Sequence, residues 1–468
     1  MNILLIMIAI PVVMLIIEAL LSKRYSIVLA SISAALMLLL SIYLLVENFV
    51  DGGISTTKSI AFIPALGVSF SLTLNTFSVV LLLLSSIVIF VAASSGNIKA
   101  ERVKLSSALM LLFQVAATGI FTSGNLLLFF IFWDIGVVTA FLMINTLGHS
   151  GSKIASMNFL IYEIFASVML LFAILLIYFY TPLHTFDIAS IISGASQIPA
   201  STQSMIMVFL LIAFMVNMPI FPLHSWLPDA YSEASTQGSM IIGGILSKFG
   251  AFGLLLSFEL MPIASHYSIY VFAFSVFSSI YASLVMISQK DIKRIIAYAA
   301  MAEMGVIGMG ISAYNTFGTF GALYGMLAQG LSIAFMFLIA GSIMHEFGER
   351  DIRLLKGIVM QSKAIAYSFV LGIFFIGGLP LTAGFIADLL IFIGAYKSFS
   401  FYAFIPFASI ILMASYLYYV ANKSIFECSS FSKNVSFIGA SQKIGYTIFI
   451  TAIFALGMIP FVILNVVH

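Results

Sequence analysis

The sequence predicts an all-α polytopic membrane protein of about fourteen transmembrane helices, and three observations carry that expectation. The 468 residues are 62% hydrophobic and only 8% charged, with a mean hydropathy of +1.19, whereas soluble domains carry roughly 25% charged residues. Lipid is therefore the solvent for most of the chain. The apolar residues also fall into runs of about 20, the length that crosses a hydrocarbon core of roughly 30 Å at 1.5 Å per residue. Finally, Lys and Arg collect on one side of the resulting topology.

In order, the spans cover 2–22, 26–48, 73–95, 103–122, 124–147, 155–180, 204–222, 236–260, 266–288, 293–313, 315–344, 362–395, 400–421 and 443–466. The first lacks a small-residue cleavage site and is long enough to cross, so it reads as a helix and not as a signal peptide. The polar stretch from Asp51 to Leu74 reads as a loop whose alternation of Ser69, Ser71 and Thr73 suits a short hairpin. The twelfth span is long and interrupted. No gap is long enough for a soluble domain. Sixteen of the 19 Lys and Arg residues lie in the odd-numbered loops; Lys58 and Lys397 lie in even loops, and Lys248 lies inside the eighth span. Odd loops are therefore cytoplasmic and both termini face outward.

The net charge of +2 gives no reason to expect nucleic acid, and the single cysteine, Cys428, excludes a disulfide framework or a cysteine metal site. Zinc, phosphate-loop, haem, dinucleotide and hydrolase motifs do not appear. The reading is of a chain that binds no metal or cofactor and holds no catalytic residue of its own.

Ionisable side chains at mid-helix cost at least about 2.5 kcal/mol each on insertion scales, so they face a protein interior or a water cavity. The spans contain Asp134 (FIFWDIG), Glu163 (LIYEIFAS), Lys248 (GILSKFG), Glu303 (AMAEMGV) and Asp388 (GFIADLL), with Glu18 nearer a membrane face. Each taken alone fits a satisfied polar group that helps helices associate. Their spacing points further. Asp134 and Glu303 are 169 residues apart, Glu163 and Gln329 166, and Asn217 and Asp388 171. One offset therefore maps helices 4–8 onto helices 9–13, and five helices per unit place the two units in opposite orientations. The expected organisation is a three-helix segment (1–95), two inverted five-helix units (103–260 and 266–421) and a last helix (443–468).

The same offset links two broken helices. The seventh runs into NMPIFPLHSWLPDA with Pro219, Pro222 and Pro228, and the twelfth into IGGLPLTAGFIAD with Gly377, Gly378 and Pro380. Proline removes a backbone donor and opens the helix, which is tolerated at membrane depth only within protein or beside a cavity. His224 lies in the first break, as a relay or as a bonded loop histidine, and Asp229 and Glu233 fall at its cytoplasmic end. Buried carboxylates and a buried amine can each bind and release a proton, and water between them would carry it. Sodium would need several oxygen ligands converging on one point.

The strings PLHSWLPDAYSEA, GSMIIGGILSKFGAFGLL, QKDIKRIIAYAAMAEMGVIGMGI, AQGLSIAFMFLIAGSI, ERDIRLLKGI and GGLPLTAGFIAD occur in this order within about residues 60 to 400. They resemble the antiporter-like subunits of respiratory complex I, whose wider family includes large subunits of membrane-bound hydrogenases and multisubunit cation/proton antiporters. The M type is most similar, because Asp388 is acidic where the L and N types typically carry lysine. The resemblance implies fourteen helices with an inverted repeat and a subunit that moves protons in the inner or plasma membrane. It also implies sister antiporter-like subunits as neighbours, with quinone and redox cofactors on partner subunits.

By the same resemblance the family's helix-5 glutamate falls on Asp134, its helix-7 lysine on Asn217, its helix-8 lysine on Lys248, its helix-10 and helix-11 histidines on Glu303 and Gln329, and its helix-12 glutamate on Asp388. Asn217 is the main departure. The family's helix-5 acid and helix-7 lysine form a gating pair, whereas an amide cannot hold a proton as a cation. Three readings follow: a proton-translocating subunit of a redox-driven complex; a non-conducting scaffold, motivated by Asn217; and a cation/proton antiporter module.

Overall fold

The computed structural model describes residues 3–50, 56–63, 68–95, 102–427 and 439–464; Lys99, Cys428, Lys433 and His468 lie outside them. The chain is built from helices α1 (Ile3–Leu20), α2 (Ser26–Val50), α3 (Thr76–Ser94), α4 (Val103–Thr122), α5 (Leu126–Leu147) and α6 (Ser152–Tyr180). It continues through α7 (Ala200–Asn217), α8 (Thr236–Leu260), α9 (Ala264–Ile287), α10 (Ile292–Ser312) and α11 (Thr316–Phe347). The last helices are α12 (Lys363–Ile376), α13 (Ala383–Phe399), α14 (Ile405–Ala421) and α15 (Ala440–Met458).

Among the described residues, twelve helical runs are long and apolar enough to cross a membrane. The last of the fourteen expected spans are the least regular. The run Ala383–Phe426 joins α13 and α14 through a short 3-10 turn, α12 is only 14 residues long, and α15 starts with a polar turn. The hairpin expected before the third span is present: β1 (Thr56–Ile63) pairs antiparallel with β2 (Val68–Leu74), with Thr57 opposite Thr73.

Short polar residues set the helix starts. Asn75, Asn125, Asp291 and Asn315 each sit in extended backbone and accept hydrogen bonds from N–H groups of the first turn of α3, α5, α10 and α11. Burial then sorts the helices. The membrane-length window of α11 is buried throughout, and α3, α4, α8 and α10 are mostly buried. The helices α1, α2 and α6 instead expose large apolar side chains such as Leu39, Ile161 and Phe172. The buried group carries Lys248, Glu303 and Gln329, while Asp134, Glu163, Asn217 and Asp388 lie on α5, α6, α7 and α13. The exposed stripes suit lipid or a neighbouring subunit.

Both expected breaks are present. The α7 helix ends at Asn217, and a seven-residue helix, Leu227–Glu233, follows. The freed Val216 carbonyl accepts from Trp226 Nε1 at 3.0 Å, and Phe221 N–H donates to Ser278 Oγ at 3.2 Å. The second break separates α12 from α13, with Gly378 at φ +63° and Thr382 Oγ1 donating to the Leu379 carbonyl at 2.7 Å. Side chains thus satisfy open backbone that lipid could not.

Candidate functional site

Two polar clusters occupy the interior, joined by α8. The first lies between α5, α6 and α7. Asp134 on α5 accepts from Ser167 Oγ at 2.7 Å. One turn away on α6, Glu163 is buried, and both its oxygens lie 3.2 Å from the amide nitrogen of buried Asn217. The amide oxygen of Asn217 accepts from Gly250 N–H at 2.9 Å. Asn217 therefore touches Glu163, not Asp134, and its other end holds α8 two residues beyond Lys248. The helix-5 to helix-7 pair implied by the resemblance is replaced by a helix-6 to helix-7 pair. An amide supplies both a donor and an acceptor, so it can bridge an acid and a backbone N–H where lysine, a donor only, could not.

The second cluster starts at Lys248, which is wholly buried. A π turn, Ile242–Leu246, precedes it. Its ammonium donates to the Gly243 carbonyl at 3.0 Å, to Ser247 Oγ at 3.3 Å, and to the Gln329 side-chain oxygen on α11. Gln329 Nε2 in turn donates to the Ala300 carbonyl on α10 at 3.4 Å. Beyond Gln329 lies a cavity of about 30 Å³ lined by Glu303, Gln329, Gly384 and Asp388, with Val306, Ile307 and Met413 among its apolar walls. Its size suits one or two waters, since about 10–15 Å³ holds one. The Glu303 oxygen Oε2 is buried with no protein partner, which suits a water-facing group. Glu303 lies within electrostatic reach of both Lys248 and Asp388.

The structure thus brings Lys248, Gln329, Glu303 and Asp388 together, and separately Asp134, Glu163 and Asn217. It does not bring in His224. That ring is buried against Phe221 and Tyr281, with centroid distances of 5.6 and 5.1 Å, and its Nδ1 has no protein partner. Asn217 and Asp388, matched by sequence offset, also sit differently relative to their breaks. Asn217 is the last residue before one, and Asp388 lies one turn after the other and reaches back to Gly378.

A clamp closes one end of the molecule. Ile292 N–H donates to the Arg350 carbonyl and Ile352 N–H to the Lys290 carbonyl, both at 2.9 Å, aligning KDI with RDI. The Arg350 guanidinium pairs with Glu233 at 3.1 Å and Asp291 at 2.9 Å; Glu233 also accepts from Gly151 N–H at 3.0 Å, and Arg294 pairs with Asp229. Next to it, burial and the Lys293 charge lower the His149 pKa below its ordinary 6.5, with Glu233 opposing. Asp351 is held down at about 2 by its hydrogen bonds with Arg353.

Sequence reasoning missed Ser167 and Lys293. Ser167 stands four residues after Glu163, so i,i+4 spacing on a helix places the two on one face. Lys293 reads as a loop charge, yet its side chain is wholly buried, with Nζ donating to the Ala234 carbonyl at 2.7 Å and Ser239 Oγ at 3.1 Å. Among the described residues, no cluster of three or more His, Cys, Asp or Glu could hold a metal ion.

Fold and interior together define a polytopic helical membrane protein with linked acid, amine and amide side chains between broken helices. The chain belongs to the NADH:quinone oxidoreductase/Mrp antiporter transmembrane family, which matches residues 123–414. It is 34% identical over 401 residues to NADH-quinone oxidoreductase subunit M of Rickettsia prowazekii (strain Madrid E), covering 85% of this chain and 81% of that one. It is 32% identical to F(420)H(2) dehydrogenase subunit M of Methanosarcina mazei, covering 79% and 76% of the two chains. In fold it is similar to a chain of respiratory complex I from Thermus thermophilus with bound NADH, with a TM-score of 0.91, 24% identity, and coverage of 100% and 97%.

Proposed function

We propose that this chain is a proton-translocating membrane-arm subunit of a redox-driven complex of the NADH:quinone oxidoreductase type. Protons move along Lys248, Gln329, the water-sized cavity, Glu303 and Asp388. The observation that carries this reading is the unbroken contact from the Lys248 ammonium through Gln329 to a cavity edged by two carboxylates. In membrane interiors such groups mark proton relays. The cluster at Asp134, Glu163 and Asn217 feeds the row or couples it to a neighbouring subunit. Redox centres and quinone belong to partner subunits, which include sister antiporter-like chains. The chain resides in the inner or plasma membrane with both termini outward. The units 103–260 and 266–421 form an inverted repeat between the 1–95 segment and the last helix.

The test is Lys248→Met in the assembled complex, with proton translocation and electron transfer measured in vesicles. Translocation falls at least tenfold, about 1.4 kcal/mol or more of lost barrier lowering, while assembly is retained. Full translocation by the assembled variant would remove the reading.

Asn217 favours a second reading, a subunit that fills its place without conducting, because the amide carries no proton as a cation. Asn217→Lys separates the two. A conducting row changes its rate when an ammonium is placed against Glu163, whereas a scaffold shows no change in proton movement.

A further inference from the structure

We infer that Lys293 is a positioning residue that sets the depths of Lys248 and Glu303 relative to each other; this rests on the proton row proposed above. Lys293 lies in the first turn of α10, the helix of Glu303. Its side chain is wholly buried, and no carboxylate among the described residues pairs with it directly. A buried charge without a direct counter-ion is costly, so its remaining contacts must hold it.

Those contacts lie on the neighbouring elements. The Ala234 carbonyl closes the short helix Leu227–Glu233, an end where a cation is favoured. Ser239 lies in the first turn of α8, the helix of Lys248, and its hydroxyl also contacts the Tyr231 carbonyl at 2.8 Å. One ammonium therefore joins the first turns of α8 and α10 to the end of the broken seventh helix.

Distance along the helices gives this joint its consequence. Lys248 lies nine residues beyond Ser239, and Glu303 ten beyond Lys293. At 1.5 Å per residue Glu303 stands about 15 Å from Lys293, and Lys248 stands less than about 13.5 Å from Ser239, because the π turn Ile242–Leu246 rises less per residue than an α-helix. Both helices start from odd-numbered loops and so leave the anchor in the same direction, which brings their amine and acid to within about one helical turn of equal depth, where Glu303 is within electrostatic reach of Lys248. Lys293 acts through that alignment and handles no proton itself.

Two readouts test this in the assembled complex. Electron microscopy of Lys293→Met reads alignment directly: Lys248 and Glu303 shift relative to each other along the helix axes by at least one residue rise, about 1.5 Å. An unchanged offset overturns the inference. Translocation per electron falls about fivefold in Lys293→Met, and the double variant with Lys248→Met loses no more than Lys248→Met alone, because both losses act through one group. Losses that multiply overturn it. Should Lys293→Met not assemble, Ser239→Ala removes one of the two acceptors and is read in the same way, with about a twofold loss expected and wild-type translocation overturning the inference. Wild-type translocation by Lys248→Met defeats the proton row alone, since the microscopy decides the positioning role independently.

Discussion

At the scale of single residues, Asn217 shows how a substitution of charge by amide changes a site. Lysine there could only donate, whereas the amide donates to Glu163 and accepts from Gly250 N–H. Asn217→Leu should therefore strand a buried acid and a backbone donor together. Each unsatisfied buried group costs about 1–3 kcal/mol, so the thermal midpoint of the purified complex falls by several degrees; an unchanged midpoint would show that other groups satisfy them. Among the described residues Asp134 has one hydrogen bond, from Ser167, and it is only half-buried. Ser167→Ala should lower translocation less than threefold, under about 0.7 kcal/mol, measured beside Lys248→Met. The acids, Lys248, Asn217 and Gln329 were legible in the sequence because ionisable and amide side chains stand out in apolar spans. The partner of each was not. Whether Asn217 meets Asp134 or Glu163 depends on helix rotation and the opening after Asn217, which periodicity does not give.

At the scale of elements, the breaks matter because they bring backbone and carboxylate together. Gly378 has φ +63°, and a Cβ there would lie 2.5 Å from Asp388 Oδ2. Gly378→Ala therefore strains the turn by about 1–2 kcal/mol and pushes the carboxyl group from its place. Translocation drops several-fold with assembly kept, while Gly439→Ala, whose Cβ meets only Ser441 Oγ at 3.8 Å, leaves translocation unchanged. Both breaks were readable from proline and glycine. The π turn before Lys248 was not: it lies where Gly243 and Gly244 pack closely against Phe337 and Gly330 on another helix, a contact that periodicity does not give. The clamp also belongs to this scale. His149 has a folded pKa below 6.5, so below that value the unfolded loop binds more protons than the folded one. The loop's stability is full above 6.5 and is lost as pH falls through the lowered folded value. The hydrogen-exchange protection factors at residues 148–151, corrected for the intrinsic pH dependence of exchange, should fall on acidification through this window, and His149→Gln should abolish the dependence.

At the scale of the whole molecule, burial and charge describe one design. The interior helices α8, α10 and α11 carry Lys248, Glu303 and Gln329, and the more exposed α13 carries Asp388 against them. Helical class and membrane character were legible from composition, because apolar runs set by bilayer thickness leave little choice. The regularity of the last spans was less legible, since α12 and α13 are two halves around a break and a 3-10 turn parts α13 from α14, details that packing and not apolar length decides. The charge bias of the loops predicts orientation. In a Cys428→Ser background, an impermeant thiol reagent applied outside should label Lys397→Cys and spare Arg353→Cys; the reverse pattern would invert the topology. The most direct observation of a proton line is its water. An electron-microscopy map of the assembled complex that resolves ordered solvent should show at least one water between Glu303, Gln329 and Asp388, hydrogen-bonded to Glu303 Oε2. A dry cavity there, with Glu303 bonded only to protein, would contradict it.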